Sequence, residues 1–107
     1  MRTQPQPYDR REVILMSGKS YIWQKTREAL MCLQADPSPA AIQGAKVPLA
    51  FLNATQPVFD DDSAREAWTE LRALAEIPSE QMTDEQKDSF VDRIWRVYSY
   101  TTGLPKD

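Results

Sequence analysis

Three stretches of this 107-residue chain repeat apolar side chains every three or four residues, a period that fits the α-helix and not the strand. In the first, 19–35, Ile22, Trp23, Thr26, Ala29, Leu30 and Leu33 fall on one side of a helix. In the second, opening at Asp62 or Ser63 and closed by Pro78, the stripe is Ala64, Ala67, Trp68, Leu71, Leu74 and Ala75, with Arg, Glu and Thr opposite. In the third, 83–103, it is Phe90, Val91, Ile94, Val97, Tyr98 and Thr101. Each stripe must be buried against something, and three stripes facing one another make an all-α bundle. Trp23, Trp68 and Phe90, one on each stripe, are the expected anchors of the shared core.

Local signals set the ends of these helices. Pro37 and Pro39 stop the first, because a residue before proline is pushed out of the α region. Ser63 with Glu66, and Thr83 with Gln86, have the spacing of capping boxes, and Gly103 followed by Pro105 ends the last helix. The middle, 38–60, is less regular. Ser38 and Pro39 can open one short helix through AAIQGA and Pro48 another through LAFLNA, with a strand at Leu49–Leu52 as the alternative. Residues 9–16, DRREVILM, fit a buried strand or a helical turn equally well. The expected architecture is a small bundle of three main helices plus one or two short ones. It forms a single domain over 9–103, with a flexible arm at 1–8 and a tail at 104–107.

The chain offers little vocabulary for catalysis. It has no histidine and one cysteine, Cys32, which removes Ser-His-Asp and Cys-His sites and ordinary zinc sites. Gly18-Lys19-Ser20 matches the end of a phosphate-binding loop. The first glycine of that motif would fall on Val13, however, and bulky residues fill the positions where the backbone must turn. Asp60-Asp61-Asp62 lacks the alternation and terminal glutamate of a calcium loop and is accounted for as charge at a helix N-terminus. Glu66, Glu70, Glu76 and Glu80 lie on a polar helix face or in its trailing loop, with no sign of a pocket. No catalytic residue, cofactor site or metal site is expected. Cys32 lies off the core stripe and reads either as a reactive thiol or as a small buried apolar residue.

Partners are the remaining class. The formal charge of −3 divides into +3 over residues 1–46 and −6 over 47–107. Arg2, Arg10, Arg11, Lys19, Lys25 and Arg27, interleaved with Tyr8 and Tyr21, could neutralise phosphates, so a nucleic-acid accessory role is one alternative. A noncatalytic subunit of an enzyme complex is a weaker one. The preferred expectation is a protein-binding adaptor, inhibitor or assembly factor, with a homodimer as one form. On the last helix Arg93, Arg96 and Tyr100 share the side away from the core, Trp95 lies on the opposite flank, and Tyr21 is off-stripe on the first; arginine and tyrosine are favoured interface residues. The four-residue apolar run Val13–Met16 suits neither a membrane span nor a leader, and the expected location is cytoplasmic.

Overall fold

The computed structural model describes residues 18–102, and the elements expected over 1–8, 9–16 and 104–107 lie outside them. Four helices follow in order: α1 (Lys19–Cys32), α2 (Pro39–Ala54), α3 (Asp62–Ala75) and α4 (Asp84–Thr102), with a single 3-10 turn at Ser79–Gln81 before α4. Among the described residues there is no strand, and the all-α expectation holds. No described helix is long and apolar enough to cross a membrane.

The largest departure from expectation is α2. The two short helices anticipated around Pro39 and Pro48 are one helix of 16 residues, and the strand alternative at Leu49–Leu52 is helical. Its start is as expected: Ser38 caps it, the hydroxyl accepting from the Ala41 N–H at 3.2 Å, and Pro39 occupies the first turn. Pro48 sits inside the helix, where it has no N–H to give the Gly44 carbonyl, a defect that costs about 3 kcal/mol in an exposed helix. The helix continues because Ile42, Ala45, Leu49 and Leu52, all at most 4% exposed, form one stripe across the proline. Burial of that stripe outweighs the missing bond. Just past the helix end, Gln56 takes the left-handed conformation (φ 54°) in which glycine is the usual residue.

Two other boundaries shift. Helix α1 ends at Cys32, with Leu33 as its C-cap, three residues before the expected end at Ala35. Helix α3 is capped by Asp61, whose carboxylate accepts from the Ala64 N–H at 2.9 Å, and not by Ser63. The aspartate run supplies a cap earlier than the Ser63–Glu66 pair could. At α4 the expected box forms in full: Thr83 N–H donates to Gln86 Oε1 at 2.9 Å, and Gln86 N–H donates to Thr83 Oγ1 at 3.1 Å.

Helix α1 packs against both α2 and α4, α3 packs against α4, and the 3-10 turn rests on α2. Phe90, Ile94 and Val97 from α4 meet Ile22, Thr26 and Ala29 from α1 in a core where all six are fully buried. Thr26 is admitted because its hydroxyl donates to the Ile22 carbonyl at 2.7 Å. Trp68 is 5% exposed and Phe90 0%, as expected, but Trp23 is 40% exposed, so it is not a core anchor. Ile22 and Thr26 already fill the inward side of α1, which leaves the Trp23 indole on the flank beneath the Arg27 guanidinium, 5.5 Å from it. The 76–83 link is tied to α2 by polar bonds: Lys46 donates to the Ile77 carbonyl at 2.6 Å, and the buried Ser79 hydroxyl donates to Gln43 at 3.1 Å.

Candidate functional site

Helix α4 carries three of the four side chains singled out from the sequence, and each is engaged within the chain. Arg93 donates through Nε to Glu70 of α3 at 2.5 Å and also meets Asp92, so it bridges two helices. Glu70 first, with Asp92 beside it, raises the Arg93 pKa above its ordinary value. Arg96 pairs with Asp92 at 2.7 Å on the surface, in the favourable i,i+4 order, and its side chain is 46% exposed. Tyr100 closes a different contact. Its hydroxyl donates to the Asp60 carboxylate at 2.8 Å, its ring lies 5.3 Å from Phe59, and Lys19 stands over it at 4.5 Å. Burial, then the bond to Asp60, raises the phenol above its ordinary 10.0, so it stays a donor at neutral pH. Tyr21, partly buried on α1, shares Lys25 with Phe51 of α2, the ammonium lying 5.4 Å from each ring. Arg93 and Arg96 thus share a surface with Glu66 and Glu70, whereas Tyr100 belongs to the 59–61 link and Tyr21 to the α1–α2 edge.

Asp92 offers a test of this arrangement by pH. Partial burial alone would raise its carboxyl, but hydrogen bonds and charges from Arg96 and then Arg93 outweigh burial and hold it below the ordinary 3.8. A depressed carboxylate contributes stability that is complete above its unfolded pKa and is lost as pH falls through the folded one. Asp92→Asn should therefore flatten the acid limb of the melting-temperature profile below about pH 4. At neutral pH the effect is small because the pair is about half exposed. An acid limb identical to that of the parent chain would contradict the assignment.

The remaining sequence candidates have local duties. Gly18 is the residue before α1 and Lys19 leans on Tyr100, while residues 13–17 of the phosphate-loop match lie outside the described residues. Asp60 holds Tyr100, Asp61 caps α3 and Asp62 pairs with Arg65. Among the described residues no three His, Cys, Asp or Glu side chains gather as a metal-holding group. Of the basic residues proposed for phosphate, Lys25 pairs with Glu28 at 3.2 Å and Arg27 covers Trp23; Arg2, Arg10 and Arg11 lie outside the described residues. Cys32 is exposed and faces Gly44, where an added Cβ would sit 3.6 Å from its sulfur.

The sequence reading placed Trp95 off the core stripe but missed the rest of the apolar surface. Phe51 is 58% exposed, Trp95 51%, Val47 52% and Val58 82%. Trp95 is steadied by an edge-on contact with Tyr98 at 5.6 Å. Helix α2 carries one charge in 16 residues, Lys46, and that side chain is turned to the Ile77 carbonyl. The outer side of α2, with Ala40, Val47, Phe51 and Ala54 all exposed, is therefore uncharged. That signal was available, since a helix apolar on all sides is buried or meets a partner. Between α2 and α3 runs a groove with cavities of ≈ 230 and ≈ 550 Å³ that share Asn53, Trp68 and Arg72 in their walls. No protein-family model, curated protein or solved structure matches the chain.

Proposed function

We propose that this chain works by binding another protein and has no catalytic activity of its own. One observation carries the reading: the core closes around Phe90, Trp68 and Ile22, while two tryptophans and Phe51 remain 40–58% exposed on the helices. Exposed tryptophan is costly in water and is among the residues that contribute most at protein interfaces. Surface anchors on α4 are Trp95 and its neighbour Arg96, both about half exposed. Arg96 can exchange the surface carboxylate of Asp92 for a partner's at little cost. Arg93 lies beside Arg96 as a support whose bonds to Glu70 and Asp92 hold the helices, and Tyr100 and Tyr21 serve the 59–61 link and the α1–α2 edge. A second copy of the chain is one partner that this reading admits. Its setting is the cytoplasm, in keeping with an exposed single cysteine kept reduced there.

The test is capture from source lysate with the full chain, after nuclease treatment. Trp95→Ser combined with Arg96→Glu should leave circular dichroism unchanged and lose the captured protein. Arg93 is left alone because reversing its charge beside Glu70 and Asp92 would disturb the fold. Capture that disappears with nuclease and weakens steeply with salt would replace the reading with nucleic-acid binding. Equal recovery by the double variant would remove the α4 surface from the proposal.

A further inference from the structure

We infer that the groove between α2 and α3 is a docking site for an acidic amphipathic segment of a partner protein, an inference that rests on the protein-binding reading above. The first argument is architectural. Three of the four seams between neighbouring helices are packed, α1 with α2, α1 with α4 and α3 with α4, and the fourth is open. Its floor is the edge of the core side chains Leu49, Trp68 and Leu71, each at most 5% exposed, with the exposed Ala50 and half-buried Ala75 beside them. Val58, 82% exposed and the most exposed large apolar side chain among the described residues, stands at the mouth with Pro57.

The second argument is charge. The groove is lined by three cations, Lys46, Arg65 and Arg72, against one anion, Glu76, in a chain whose net charge is −3 and whose second half is the acidic one. Lys46 and Arg65 already hold the Ile77 carbonyl and Asp62. Arg72 is exposed and has no ion pair among the described residues, and its guanidinium can take a carboxylate in a bidentate bond. Apolar floor and cationic wall together recognise a segment with leucine- or phenylalanine-type anchors on one side and Asp or Glu beside them. From Arg65 to Glu76 the wall is about 16 Å long, roughly eleven residues of partner helix.

The experiment selects random 16-residue peptides on a display library against the immobilised full chain and titrates the synthesised winners by fluorescence anisotropy. Winners should carry an excess of Asp and Glu with apolar residues at i, i+3 or i+4, and i+7. Binding should weaken at least tenfold with Arg72→Glu, weaken likewise with Val58→Asp, weaken as salt rises, and be indifferent to Trp95→Ser. Both groove substitutions fall on exposed positions, so folding survives them. The inference is overturned by an absence of winners, by winners without acidic excess, or by affinities that ignore both groove substitutions. Deuterium-exchange protection of the groove walls in the free chain, showing it filled by the chain's own residues, would overturn it too. Lysate capture that fails with the Trp95 and Arg96 double variant but survives Arg72→Glu would remove the groove and leave the protein-binding reading in place.

Discussion

Trp68→Ala should destabilise the protein by about 3–5 kcal/mol, the range for truncating a buried aromatic. The indole is 5% exposed and lies 6.1 Å from the Phe59 ring, which in turn lies 5.3 Å from Tyr100. Removing it opens a cavity on α3 and undoes the ring contact that joins Phe59, and with it the 59–61 link, to α3. A domain of this length has about 5–15 kcal/mol of stability in all, so urea denaturation followed by circular dichroism should show a midpoint near or below half that of the parent. Trp68→Phe keeps an aromatic contact and should recover a large part of the loss. A change under about 1 kcal/mol for the alanine variant would mean that Trp68 is not in the core.

Phe90→Ala carries a comparable cost, about 3–5 kcal/mol, for a different reason. Phe90 is fully buried two turns into α4, between the Thr83–Gln86 box and the Ile94 and Val97 positions that meet α1. Its loss leaves a void in the core beneath α4, and Phe90 is not among the side chains that line the groove. Stability should fall while the affinity of any groove peptide, measured under conditions where the variant is folded, stays as it was. A loss of affinity matching the loss of stability would show the groove and the core to be one cooperative unit. Trp23→Ala, on the flank of α1, should by comparison cost less than about 1 kcal/mol.

Several hydrogen bonds made within a few residues were legible in the sequence, though the Asp61 cap of α3 was not, because Ser63 offers the same signal two residues on. The box at Thr83 and Gln86, Ser38 ahead of Pro39, and the stripe on α3 are encoded by spacing alone. Helix α2 was broken in two because Pro48 is a strong local signal, whereas the buried stripe from Ile42 to Leu52 that overrides it depends on α1 being there to cover it. Trp23 was misplaced because a stripe about 120° wide contains both a centre and two flanks, and only the packing of neighbours decides which flank is covered. The α4 surface was legible only in part: Arg93 and Arg96 line one surface, whereas Tyr100 turns to the 59–61 link. That Glu70 and Asp60, 23 and 40 residues away, hold two of them was not, because sequence spacing carries no information about contacts at that range. The open seam has no sequence signature at all, since it follows from which helix pairs pack and which do not.

The division of aromatic side chains between core and surface is the claim on which the protein-binding reading depends. Acrylamide quenching of three variants, each retaining one tryptophan with the other two replaced by phenylalanine and each folded by circular dichroism, measures it directly. The lone Trp68 should emit at shorter wavelength and be poorly quenched, and Trp23 and Trp95 should both be quenched readily. Equal protection of all three indoles, or a Trp68 as accessible as Trp95, would contradict the account.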